Sequence, residues 1–131
     1  MDDLQGKQTD DVYALYNRGL ELIAGGHHHQ AVVPLRRARS ISQQSGSIRE
    51  ALGRALFRTG AYTEAAQEFE AVLEGAATNH YALFCYGRCL QMLGRDAEAR
   101  GPLTLATCMA PERRDYRIYR DRARAAADQC G

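Results

Sequence analysis

The stretch from Gly53 to Phe69, GRALFRTGAYTEAAQEF, decides the fold. Its apolar residues fall into two helical stripes with a glycine between them. Leu52, Gly53 and Leu56 share one face of a helix that Gly60 ends, and Ala65, Phe69, Val72 and Leu73 share one face of the helix that follows. Two amphipathic helices joined by a tight turn make a helical hairpin.

The same pattern recurs 34 residues away in both directions. Ala31, Ala65 and Ala99 keep that spacing, as do Gly26, Gly60 and Gly94, Gly19, Gly53 and Gly87, and Leu22, Leu56 and Leu90. Leu35, Phe69 and Leu103, and Ala38, Val72 and Ala106, stay in the same register. A register held without insertion makes the chain a tandem array, and the repeat dictates the architecture. The Gly and Ala columns mark places where two helices approach closely, because a larger side chain would force the backbones apart.

On these columns the chain resembles a tetratricopeptide repeat protein, with three units over residues 12–45, 46–79 and 80–113. Some positions depart from the family pattern. The large aromatic early in each first helix is replaced by Leu15, Arg49 and Leu83, and the tyrosine of that helix by leucine in every unit. The closing proline is present only as Pro111, with Gln43 and Ala77 at the equivalent places. The resemblance implies an all-α fold, a right-handed superhelical solenoid of three helical hairpins with a C-terminal capping helix.

Pro111 suits a helix start, and Tyr116, Ile118, Tyr119, Ala123, Ala126 and Ala127 form a stripe beyond it, so the capping helix is predicted over 111–129. It would cover the outer face of the third hairpin, as the end of a repeat stack requires. Pro34 and Pro102 are two periods apart and are read as lying near the first turn of their helices, where a missing N–H is tolerated. The domain is thus expected over 12–131, preceded by an acidic, flexible segment, residues 1–11.

With 17 Lys plus Arg against 16 Asp plus Glu, the net charge of +1 supplies no field of the size that nucleic-acid binding uses. At 131 residues the chain has room for one domain, and 45% hydrophobic content is that of a folded soluble protein. The acidic start has no basic, apolar export signal, and every apolar run is interrupted by polar residues, so a cytoplasmic protein without a membrane segment is expected. Cys85, Cys89, Cys108 and Cys130 are then expected to stay reduced.

Two clusters could be taken for metal sites. His27, His28 and His29 are consecutive and point in different directions, so they cannot all reach one ion; His28 stands where Tyr62 stands in the next unit and is expected to pack there. Cys85 and Cys89 share a helix face, but their counterparts in unit two are Ala51 and Ala55, which reads as small core residues. The sequence has no glycine-rich phosphate loop, nucleophile elbow or His-Glu-x-x-His helix, so no enzyme activity, catalytic residue, metal or cofactor is assigned.

The resemblance implies a concave groove lined by the first helices of the hairpins. Its register places Tyr13, Tyr16, Leu20 and Ile23 there from unit one, and Glu50, Arg54, Phe57 and Arg58 from unit two. Tyr81, Phe84, Arg88, Gln91 and Met92 come from unit three, and Ile118 and Arg122 from the capping helix. Arg54, Arg88 and Arg122 are 34 apart and form a row. Guanidinium groups beside aromatic side chains suit a protein or peptide partner with acidic residues or a free carboxylate. The carboxylate clamp of chaperone-binding family members uses Lys and Asn where Tyr16 and Leu20 stand here, so that specific motif is not expected. The function expected is a non-catalytic protein-protein interaction module: an adaptor, scaffold or chaperone-like protein. Two alternatives are a homo-oligomer joined through the exposed aromatics of repeat one, and nucleic-acid binding through the six arginines from Arg36 to Arg58.

Overall fold

The computed structural model describes residues 11–130, and these form seven helices and no strand. They are α1 (Val12–Ala24), α2 (His28–Ile41), α3 (Gly46–Arg58), α4 (Tyr62–Gly75), α5 (His80–Met92), α6 (Asp96–Met109) and α7 (Arg114–Cys130). The fold is all-α, as the periodicity predicts. Of the expected acidic segment only Asp11 lies within the described residues; its carbonyl accepts from the Leu15 amide at 2.7 Å and opens α1. Among the described residues no helix is long and apolar enough to cross a membrane.

One backbone device explains two of the sequence columns. Gly26, Gly60 and Gly94 adopt φ of +83°, +88° and +76°, the left-handed region that only glycine enters without strain. At each, the glycine amide bonds three residues back and the next amide bonds five back, to the repeated leucine. His27 N donates to Leu22 O at 2.8 Å, Ala61 N to Leu56 O at 2.9 Å, and Arg95 N to Leu90 O at 2.8 Å. This is the Schellman ending, which satisfies carbonyls that a helix end leaves open. A glycine and the leucine four residues before it therefore recur together.

Contacts group the helices into two compact units, one ending at Ala61 and the other beginning at Tyr62. In the first, α2 packs against both α1 and α3. Leu35 is fully buried where α1 is thinned by Gly19; a Cβ at Gly19 would stand 2.5 Å from the Leu35 side chain. Ser45 caps α3 by accepting from Ile48 N at 3.3 Å. Arg49, which stands where the resemblance implies a large aromatic, is half-buried and donates through Nε to the Gln43 carbonyl at 2.8 Å.

In the second unit α4 packs on α5, α5 on α6, and α6 on α7. Two clusters form its core: Leu83, Ala106, Ala110 and Tyr116, and Leu90, Ala99, Leu103 and Ala123. Tyr116 and Ala123 are fully buried, so α7 covers the apolar face of the third hairpin. Gly87 repeats the arrangement at Gly19, with a Cβ position 2.6 Å from Leu103 Cγ.

Two local expectations change. The capping helix begins at Arg114 instead of Pro111; Pro111 sits in the preceding turn, where Arg113 N bonds Ala110 O at 3.0 Å and the Pro111 carbonyl accepts from Arg117. Asp115, in the first turn of the helix, accepts from Tyr116 N at 3.1 Å. Pro34 and Pro102 are not near a first turn: each is the seventh residue of a 14-residue helix. The carbonyls that lose a donor belong to Gln30 and Glu98, both exposed residues.

Candidate functional site

In the first unit, Tyr13, Tyr16, Leu20 and Ile23 occupy one face of α1 by their spacing. Tyr13 is 74% exposed and the other three are half-buried. Glu50, Arg54, Phe57 and Arg58 run along α3, where Arg58 is exposed and the rest half-buried. The α3 arginines face the first residue of α2. Burial lowers the pKa of His28, and the charges of Arg58, His29, Arg54 and His27 lower it further. His28 Nδ1 is buried without a hydrogen-bond partner. This association of His28 with Arg54 and Arg58 escapes the sequence reading, because it joins residues from two repeats.

In the second unit, Tyr81, Phe84, Arg88, Gln91 and Met92 occupy one face of α5. Phe84 is less a surface group than a packing one: it stacks on buried Tyr116 with ring centroids 4.4 Å apart. Tyr116 in turn meets His80, whose Nδ1 lies 3.0 Å from the phenol oxygen. Met92 and Ile118 are 45% and 38% exposed. The two arginines of this unit's row come together, Arg88 from α5 and Arg122 from α7, and both lie over the ring of Tyr119. Tyr119 is absent from the groove predicted from sequence, which counts it only in the α7 apolar stripe. Its place three residues before Arg122, on the same helical face, is the signal that would have found it.

Asp115 is paired with the turn before α7. Arg113 grips it through two hydrogen bonds of 3.0 and 2.8 Å, which holds its pKa below the ordinary value. The Cys85 and Cys89 pair divides by burial: Cys85 is half-buried, while Cys89 is fully buried and its thiol is pushed up to about 12 by desolvation. A thiol so far from ionising is a core group. Among the described residues no three His, Cys, Asp or Glu side chains gather as a metal donor set.

The model of the tetratricopeptide repeat family matches residues 16–80 and 51–111. No curated protein matches the sequence. Among solved structures, the chain is similar to the repeat domain of Arabidopsis OM64, at TM-score 0.84 and 16% identity, covering 90% of this chain and 98% of that one. It is similar to the first repeat domain of Spaghetti (RPAP3) bound to an HSP90 peptide, at TM-score 0.84 and 12% identity, over 92% and 95% of the two chains. It is also similar to the Yersinia enterocolitica type III secretion chaperone SycD in complex with a peptide of the translocator YopD. There the TM-score is 0.73 and the identity 18%, over 92% of each chain. At such identities the likeness is one of fold.

Proposed function

Because the chain belongs to the tetratricopeptide repeat family, we propose that it is a non-catalytic protein-interaction module, an adaptor, scaffold or chaperone-like protein that captures a peptide segment of a partner. The carrying observation is the α5 and α7 surface of the second unit, where exposed Met92 and Ile118 flank the paired guanidinium groups of Arg88 and Arg122. Apolar anchors beside cations suit a segment with acidic and aliphatic residues. Arg54 carries the same chemistry on α3. Two of the structural neighbours were solved with peptides bound, which supports this class of ligand. Rigid helices would hold the receptor side ready, so little ordering entropy is lost there on binding.

The test is a peptide array of acidic and aliphatic segments probed with the wild type and with a variant carrying Arg54→Glu, Arg88→Glu and Arg122→Glu. Selective loss of acidic peptides by the variant is expected. Equal retention by both proteins would remove the arginine row from the site. A second reading rests on Tyr13, whose 74% exposure leaves a large aromatic in solvent: self-association through α1. Sedimentation velocity over a concentration series, with Tyr13→Ser as the control, separates the two.

A further inference from the structure

Gly101 is the sixth residue of the 14-residue α6 and stands beside Pro102, in a helix interior where glycine costs stability relative to alanine. Nothing in the chain lies within 4 Å of a Cβ at Gly101, so no neighbour requires the missing side chain. Gly46 and Gly75 are equally open but are terminal residues of their helices. Gly19 and Gly87, inside α1 and α5, are different again. Each receives a leucine of the adjoining helix, with a Cβ position 2.5 Å from the Leu35 side chain or 2.6 Å from that of Leu103. Gly101 offers the same bare backbone with no leucine on it. It lines an open groove of about 460 Å³ together with Arg100, Thr104, Leu105, Cys108 and Arg124. Arg100, Thr104 and Cys108 follow one another at single-turn spacing, so the groove runs along α6 for about two turns, or about 12 Å. Leu105 is 45% exposed beside it. Asp128 approaches Arg100 to 3.9 Å, longer than a hydrogen bond, and among the described residues Arg124 has no hydrogen-bond or ion-pair partner.

We infer that this groove is a second interaction surface, the docking site for an amphipathic helix of a partner protein, which lays a leucine on Gly101 and acidic side chains against Arg100 and Arg124. A helix fits because bare backbone at Gly101 lets two helix axes approach closely, with a side chain of one seated in the gap of the other, as Leu35 and Leu103 are seated within the chain. Leu105 adds apolar area beside the seat. The charge complement follows from the two guanidinium groups, one from α6 and one from α7, which pair with carboxylates one turn to either side of the incoming leucine. Arg124 lies two residues beyond Arg122 and therefore on another face of α7. The groove is thus separate from the Arg88 and Arg122 surface, and the two readings stand or fall independently.

The experiment uses the full chain and a fluorescein-labelled, alanine-rich helical peptide carrying the stripe Glu-x-x-x-Leu-x-x-Glu, read by fluorescence anisotropy. Companion peptides replace the leucine by Gln, both glutamates by Gln, or a central alanine by proline. Wild type is expected to bind the parent peptide and to bind each companion more weakly. Gly101→Gln installs the residue that unit two carries at the same place, Gln67, so it should keep the helical circular dichroism of wild type. By filling the seat it should lose at least about tenfold in affinity. Arg124→Gln should lose about threefold to fivefold, whereas Arg122→Gln, the same charge change on the other face of α7, should stay within about twofold of wild type. Bound peptide should slow alkylation of Cys108, which is exposed in the groove. Wild type that binds no parent peptide, or binds the proline-broken copy equally well, overturns helix docking. Equal affinity of wild type and Gly101→Gln overturns the seat, as does alkylation of Cys108 at an unchanged rate. Equal binding of the all-Gln companion overturns the acidic assignment. A wild-type mass that rises with concentration in sedimentation, and does not rise in Gly101→Gln, overturns the partner helix in favour of a second copy of this chain.

Discussion

Adding one methyl group at Gly87 tests the close helix approach that underlies the repeat. A Cβ there would lie 2.6 Å from Leu103 Cγ and 2.7 Å from Cδ2, and Leu103 is fully buried. The Cγ branch point cannot swing aside as a flexible tip would, so α5 and α6 must shift. Alanine in a helix interior is favoured over glycine by about 1 kcal/mol, but overpacking a filled core costs about 1–3 kcal/mol, so Gly87→Ala should be net destabilising by up to about 2 kcal/mol. In the background of Leu103→Ala, which costs about 2–5 kcal/mol alone, the obstruction is gone and the same methyl should be neutral or stabilising. Gly46→Ala is the control, since nothing lies within 4 Å of a Cβ at that site. It should gain about 0.4–1 kcal/mol through reduced unfolded-state entropy. Urea denaturation followed by helical circular dichroism, arranged as a double-mutant cycle, reads all of these. Additivity of Gly87→Ala and Leu103→Ala would refute the reasoning, because the coupling is the physical claim.

Tyr116→Ala removes a fully buried ring stacked on Phe84 and should cost about 3–5 kcal/mol, with faster amide exchange along α7. Tyr116→Phe loses only the hydrogen bond to His80 and should cost about 1 kcal/mol. Cys89 should resist alkylation at mild alkaline pH in the native protein while exposed Cys108 reacts, as mass spectrometry of tryptic peptides would show. Its folded pKa of about 12 lies above the ordinary value of 9.0. Its contribution is therefore fully present below pH 9 and declines as pH rises toward 12. Asp115→Asn breaks the Arg113 pair; with both side chains solvent-accessible the loss should stay below about 1 kcal/mol. Because Arg113 depresses the Asp115 pKa, that contribution exists above the ordinary value of 3.8 and disappears on acidification, so wild type and variant should converge in acid.

The 34-residue spacing of Gly26, Gly60 and Gly94 with Leu22, Leu56 and Leu90 was legible because local backbone chemistry repeats with it: a left-handed residue and a carbonyl that must be paired. Gly19 and Gly87 were legible for a similar reason, since the side chain that fills the space, Leu35 or Leu103, keeps one offset in sequence. Helix boundaries were less so. The α7 start moved from Pro111 to Arg114 because Arg113, Asp115 and Arg117 close the turn with side-chain bonds that periodicity does not encode. Cys89 could be assigned to the core from its column alone, yet the displacement of its pKa follows from burial that only packing supplies. Phe84 and Tyr119 show the limit most directly. Both are aromatic residues on amphipathic helices, and sequence placed Phe84 in the groove and left Tyr119 out of it. Packing also puts Phe84 on Tyr116 and brings Tyr119 beneath Arg88 and Arg122. The sequence by itself determined the helices, their turns and the repeat register, all governed by interactions within one or two turns of chain. Which polar and aromatic groups meet across α5 and α7 was decided only by tertiary packing, because the approach of two helices brings together residues some thirty positions apart.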